Sequence, residues 1–288
     1  VGCFIFEQLA KTSHIYPTTQ RKNTMKLPTF DSLLLEINNY VATITLNRPD
    51  KRNAFNDDVI RELTQAFDYC GKQDPVRAVV LTANGKAFCA GADLNWMRAM
   101  ADYTRDENLA DAGNLATMLK TIYNCPKPTV AAIQGDVYAG GMGLVACCDI
   151  AISVKNANFC LSEVKLGLIP ATISPYVIRA MGARAAHRYF LTAEVFDAKE
   201  AKKIGLIHER VDEEEFKQTL DNLVKHLVNA SPNAVKVCKK LVQDVAYVEI
   251  NDQLIKDTVA GIADIRASDE GKEGVQSFLQ KRKPSWLA

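Results

Sequence analysis

"YAGGMGLVACCDIAI", residues 138–152, places Gly140 and Gly141 directly ahead of an apolar, helix-like run. Glycine gives up backbone entropy wherever it is ordered, so a pair of them marks a place where something approaches the backbone closely. A tight turn between packed elements is one such use. The other is a helix N-terminus, where the first N–H groups lack an intrahelical partner and carry the positive end of the dipole. With no side chain in the way, those amides reach a bound oxygen, and the pattern then predicts an oxyanion site.

A second stretch has the same character. In "GKAFCAGADLNWM", residues 85–97, the small residues Cys89 to Ala92 lie between a strand-like "VVLTA" and a helical run. Two helix starts that follow two strands can aim their amides at one point. A pair of donors on one carbonyl oxygen stabilises an enolate, the species formed when a proton is added or removed beside a thioester carbonyl.

The flanking sequence fits that arrangement. "LLLEINNYVATITLNRP" reads as a hairpin turning at Asn38-Asn39, followed by a helix capped at Asn56 with Asp57 and Asp58 in its first turn. "VRAVVLTANG", "PTVAAIQG" and "CDIAIS" read as short buried strands, with one long helix predicted over residues 92–124 between the first two. Strands alternating with helices indicate an α/β architecture. Beyond Ser162 the pattern is nearly all helical. Ser174-Pro175 is the expected start of one helix, with Gly182 its expected end, and Asp197 and Glu200 form a capping pair for a shorter helix ended by Gly205. The expected division is an extension over 1–24, an α/β core over 25–225 and a helical region over 226–288. The extension shows no clear period and is expected to be disordered or non-native, with the functional chain starting near Met25.

Bulk properties exclude several classes. Among 288 residues, 35 Lys and Arg balance 34 Asp and Glu, a net charge of +1. No global field draws the chain to nucleic acid or to an anionic membrane, and no apolar run approaches bilayer length. The eight cysteines sit mostly in apolar runs without a CxxC pair, and the four histidines show no ligand spacing. They read as reduced, cytoplasmic thiols acting as small hydrophobes, with no metal site.

"NRPDKRNAF", "KAFCAGADLNWM", "PKPTVAAIQGDVYAGGMGLVACCDIAIS" and "ANFCLSEVKLGLIPATISPYVIRAMG" together resemble the crotonase superfamily, the enoyl-CoA hydratase/isomerase group, from about residue 30 onward. The resemblance implies a crotonase fold, an α/β core of repeated ββα turns with a C-terminal helical region, assembled as homotrimers or homohexamers. It implies a substrate carried as a coenzyme A thioester and no further cofactor. Ala90 and Gly140 match the positions whose amides hold the thioester oxygen, and Gly91, Ala92 and Asp93 complete the first acyl-CoA loop. Lys51, Arg52 and Ala54 fall where the family contacts the CoA nucleotide, and Lys283, in the cluster Lys281 to Lys283, is placed to reach its phosphates or else to be a solvated tail.

The carboxylates divide the possible activities. Hydratases of this family usually carry two glutamates that share a water. Glu163, in "FCLSEVKLG", matches the second, and its apolar neighbours predict a raised pKa suited to proton transfer. The first falls on Gly143, so one carboxylate of the pair is missing. Two readings follow from the resemblance. One is hydration of a branched enoyl-CoA, since "GADLNWM", "GLVACCDIAI" and "SEVKLGLIPATISPYVIRAMG" resemble bacterial methylglutaconyl-CoA hydratase-like proteins of leucine breakdown. The other is double-bond isomerisation by a single glutamate; a low-activity acyl-CoA-binding protein is the third possibility. Asp136, Asp111 and Glu107 are candidate replacements for the missing acid, each weighed against a solvated role. Trp96, Met97, Met100, Tyr138 and Tyr176 can line the pocket or belong to the core.

Overall fold

The computed structural model describes residues 27–287, so the expectation for residues 1–24 lies outside the described residues. The hairpin forms as β1 (Leu33–Asn38) and β2 (Val41–Leu46). Its turn residues are Asn39 and Tyr40, both at positive φ (50° and 68°), one position later than the sequence suggests. Helix α1 (Asp57–Lys72) follows, with the Asn56 side chain accepting from the Val59 amide at 3.0 Å.

Strand β2 then pairs in parallel with β3 (Ala78–Ala83), which continues through β5 (Thr129–Ile133) and β7 (Ile150–Val154) to β10 (Glu209–Val211). The central strands are buried on both faces, as their unbroken apolar runs require. A second sheet is built from β4 (Ala87–Cys89), β6 (Asp136–Tyr138), β8 (Asn158–Cys160) and the antiparallel β9 (Phe196–Asp197). Each central strand is therefore followed by a short strand of the second sheet and then by a helical turn, the repeated ββα unit of a crotonase fold. Phe55, Phe67, Phe88 and Phe159 are fully buried in the core.

Two helices differ from expectation for local reasons. The stretch predicted as one helix is α2 (Leu94–Ala101) and α3 (Arg105–Tyr123). Thr104 and Glu107 form a reciprocal capping box that starts the second helix afresh. Helix α4 (Gly140–Cys147) carries the paired glycines, and α5 runs over Ser174–Thr192 with Ile173, not Ser174, at its cap. Gly182 (φ 77°, ψ 154°) is non-helical and divides the stretch into two helical segments, the break expected there. Asp197 caps α6 (Ala198–Lys203) as expected, accepting from the Glu200 amide at 2.8 Å.

Helix α7 (Glu213–Asn229) lays Phe216, Leu220 and Leu223 on the outer face of the main sheet against Val80, Val130 and Ala132. The division expected at residue 225 falls inside this helix, and the packing keeps α7 with the α/β core. Helix α8 (Pro232–Val245) is pinned by Lys239, which donates to Asp149 at 2.7 Å and to the Lys127 carbonyl. Helices α9 (Asp252–Ala267) and α10 (Asp269–Leu279) bury almost nothing and leave Val259, Ile262, Val275 and Phe278 exposed. No helix of the described residues is long and apolar enough to cross a membrane. Burial pushes the thiols of Cys70, Cys89 and Cys148 up to about 12, consistent with apolar packing.

Candidate active site

The second sheet gathers the site. Cys89 pairs with Val137, and Tyr138 with Cys160, so β4, β6 and β8 end side by side in parallel. The residues leaving those ends are Ala90–Ala92, Ala139–Gly141 and Leu161–Glu163, which brings three distant stretches to one edge. Crevices beyond the carboxyl ends of parallel strands are where α/β sheets bind ligands.

Contact between the first two loops is close. Gly91, at φ +91°, faces Ala139 so tightly that a Cβ on it would lie 3.0 Å from that of Ala139. A Cβ on Gly140 would lie 2.5 Å from the Phe55 ring. Ala139 itself is held at φ 47°, ψ −119°, a strained conformation for a residue with a side chain, and its amide is anchored to the Cys160 carbonyl at 2.8 Å. Gly140 and Gly141 open α4, and neither amide has a hydrogen-bond partner among the described residues.

One expected donor is already engaged. The Ala90 amide donates to the Arg52 carbonyl at 3.0 Å, so it is not available to a thioester oxygen. Three positions after Arg52, Phe55 donates to the Gly91 carbonyl and accepts from the Asp93 amide, each at 2.7 Å. In such a bridge the residue between turns its own N–H away from the partner strand. The amide of Ala92 has no partner among the described residues, and the donor of the first loop moves from Ala90 to Ala92. Alternation against Phe55 decides this, and "CAGAD" alone does not reveal it.

Glu163 is the first residue of a short 3-10 helix, Glu163–Leu166, just beyond β8. Burial raises its carboxyl above the ordinary value of 4.5. Its Oε2 is buried with no hydrogen-bond partner. An unpartnered buried carboxylate oxygen is costly unless a ligand or water completes it.

The other predicted residues separate into those that shape the loops and those that stay free. Burial would raise the Asp93 carboxyl, but the Asn95 amide and the Arg48 guanidinium outweigh it and hold the group low. Asp93 thus caps α2 and pairs with Arg48 at 2.9 Å, a structural task in place of the expected contact with acyl-CoA. Ala54 is buried, and its carbonyl accepts from Arg48 at 2.9 Å. Lys51 and Arg52 are exposed on the rim beside β4. Asn53, which the motif contains but sequence reading passed over, is buried at φ 55° and donates to the carbonyls of Asn84 and Ala87 at 2.9 Å.

Lys283 is not brought to this edge within one chain. Three residues later the Trp286 carbonyl accepts from Arg77, immediately before β3, whereas the site loops adjoin that strand's other end. The six residues of β3 separate the two by about 20 Å.

None of the candidate replacement acids is free for the missing role. Asp136 accepts from the amide and side chain of Asn158, tying β6 to β8. Glu107 is spent in its capping box. Asp111 accepts from the Trp96 indole at 3.1 Å. Trp96 is buried in the core, and Tyr176 packs on Tyr123 with ring centroids 5.2 Å apart.

The comparisons agree with this fold. Residues 36–288 match the family described as enoyl-CoA hydratase/isomerase. A crystal structure of an enoyl-CoA hydratase from Shewanella pealeana superposes with a TM-score of 0.87 at 43% identity, covering 89% of this chain and 96% of that one. An enoyl-CoA hydratase of Alternaria alternata is 35% identical over 246 residues, 83% of this chain and 78% of its own. A trans-2-decenoyl-[acyl-carrier-protein] isomerase of Streptococcus mutans is 27% identical over 265 residues, 89% of this chain and 98% of its own.

Proposed function

We propose that this chain, which belongs to the enoyl-CoA hydratase/isomerase family, adds water across the α,β double bond of a β-branched enoyl-CoA with Glu163 as its single acid-base group. The observation that carries the reading is the buried, unpartnered carboxylate oxygen of Glu163 at the same sheet edge as the unpaired amides of Ala92 and Gly140.

The thioester oxygen sits between those two amides. Glu163 takes a proton from water as the water oxygen bonds to the β-carbon, and the double-bond electrons move onto the thioester as an enolate. The enolate oxygen is held by the two N–H groups, each worth roughly 3 to 4 kcal/mol of barrier. Protonated Glu163 then returns its proton to the α-carbon, which regenerates the carboxylate. A raised pKa suits a group that must both accept and donate within one cycle.

3-Methylglutaconyl-CoA is the substrate proposed, on the likeness of "GADLNWM", "GLVACCDIAI" and "SEVKLGLIPATISPYVIRAMG" to methylglutaconyl-CoA hydratase-like proteins. A second reading, isomerisation of a 3-enoyl-CoA, is favoured by the same lone carboxylate, because moving a proton between the α- and γ-carbons needs no activated water. Incubation with each thioester, followed by mass spectrometry, separates them. Gain of one water supports hydration, and a shifted double bond at unchanged mass supports isomerisation. No turnover of either would overturn both and leave a binding role.

Assembly as a homotrimer or homohexamer is part of the proposal. The apolar side chains left exposed on α9 and α10 support it, since faces of that kind are ordinarily covered by a partner. Light scattering on the purified protein tests it, and a monomeric mass would overturn it.

A further inference from the structure

The space above Gly143 is occupied. Gly143 lies one turn after Gly140 on the same flank of α4, and it is buried. A Cβ at this position would fall inside van der Waals contact of Cγ2 of Ile173, and would also lie 3.0 Å from Cβ of Ile173 and 3.2 Å from Cδ2 of Leu119. Ile173 is 2% exposed and caps α5. The chain from Glu163 to Ile173 is a short return through the 3-10 helix and the turn at Ala171, and α5 packs against that 3-10 helix. One flank of α4 therefore meets Phe55 at Gly140 and, one turn on, Ile173 at Gly143.

Position along the helix sets what that side chain meets. If the Gly140 amide holds the thioester oxygen, the helix rises about 4.5 Å to Gly143, and the acyl chain leaves the carbonyl by two bonds before its β-carbon. The β-carbon and its substituents therefore lie alongside the wall that Ile173 completes. The geometry points to Ile173 as a specificity-determining residue: its branched side chain, seated over Gly143, limits the size of the substituent carried on the β-carbon and keeps this wall apolar. The inference rests on the proposed placement of the thioester oxygen at Gly140.

Filling and need match at this pair. A glycine at 143 leaves room that only a neighbouring side chain can close, and Ile173 closes it without an acid. The wall then accepts alkyl substituents and offers no second carboxylate to a water.

Binding separates this role from turnover. Saturated thioesters that cannot react, 3-methylbutanoyl-CoA and 3-ethylpentanoyl-CoA, are titrated calorimetrically into wild type, Ile173→Val and Ile173→Ala. Wild type is expected to favour the methyl-branched ligand, and Ile173→Ala to shift the affinity ratio toward the ethyl-branched one by tenfold or more, the scale of one or two methylenes in an apolar pocket. Ile173→Val shifts it by less in the same direction and serves if the alanine variant fails to fold. Gly143→Ala is expected to lower the Tm, and to lower it less in the Ile173→Ala background, which lacks the Cγ2 that the new Cβ would meet. A ratio unchanged within twofold in a folded Ile173 variant, or Gly143→Ala tolerated without loss of Tm, overturns the proposal. Wild type that hydrates enoyl-CoA while the ratio stays fixed sinks the gatekeeper alone. A shifted ratio without any turnover sinks the hydratase reading alone.

Discussion

The amide of Ala139 donates to the carbonyl of Cys160 at 2.8 Å, and this bond ties the turn that presents Gly140 to the strand that ends just before Glu163. The donor and the acid are thus referred to one strand end, although 22 residues lie between Gly140 and Glu163 in the chain. That turn is strained at Ala139, a cost of about 1–3 kcal/mol that persists only where the surroundings enforce it. The enforcing contacts are the second sheet below and the packed glycines above.

Gly140→Ala tests how tightly that donor is placed. The added Cβ would lie 2.5 Å from the Phe55 ring, so either the ring or the amide has to move. Displacing one oxyanion donor is expected to lower kcat/KM by about 10²- to 10³-fold. Steady-state kinetics of Gly140→Ala with and without Phe55→Leu read this directly. Recovery in the double variant is expected; equal activity of Gly140→Ala and wild type would remove the Gly140 amide from the site.

In the proposed role, Glu163 sets the acid limb of the pH profile. The carboxylate has to be ionised to take a proton from water, and burial raises its titration above the ordinary 4.5. Activity is therefore expected to fall as pH drops through a value above 4.5, before ordinary exposed glutamates protonate. Glu163→Gln keeps the shape and loses the proton, and turnover should drop by about 10²-fold or more. A profile of kcat/KM from pH 4 to pH 8 checks both statements, and an acid limb at or below 4.5 would detach the rate from this group.

Much of this was legible in the chain because glycine and capping residues leave signatures at fixed offsets. The hairpin turn, the Asn56 and Asp197 caps and the start of α4 at Gly140 follow from such local chemistry. The second sheet was not legible: β4, β6 and β8 have three residues each, too few to show a period of two, and they exist because their neighbours do. The assignment of Ala90 failed for the same reason. Which amide of "CAGAD" stays unpaired depends on the backbone of Phe55, and no spacing within the motif records that bridge. Ile173 over Gly143 is likewise a tertiary fact.

Asp93 carries structure at the site's edge, and its removal should show in stability before it shows in chemistry. It caps α2 and pairs with Arg48, which also holds the Ala54 carbonyl. Asp93→Ala is expected to cost about 2–4 kcal/mol, a lost cap plus a lost charge-assisted bond. Because the folded carboxyl is held below its ordinary 3.8, this stabilisation is present above that value and is lost as pH falls through the lower folded one. Urea melts at pH 7 and pH 3 measure it, and the difference between wild type and variant should shrink at the lower pH.

Asp111 has the opposite sign. Burial raises its carboxyl, the Trp96 indole pulls it back, and the neighbouring Asp57 pushes it up again. A carboxyl that binds its proton more tightly when folded favours the folded state at low pH, and that advantage is lost as pH rises from the ordinary 3.8 through the raised value. At neutral pH the wild-type chain therefore bears a repulsion between α1 and α3 that Asp111→Asn removes while keeping an oxygen for the Trp96 N–H. A part-exposed pair of this kind is expected to be worth less than about 1 kcal/mol, or a Tm gain of about 1–3 °C in a chain of this size. Thermal melts of wild type and variant at pH 7 and at pH 3.5 decide it. The gain should appear at pH 7 and shrink at pH 3.5, below the raised value, and an equal gain at both would mean that repulsion from Asp57 is not its source.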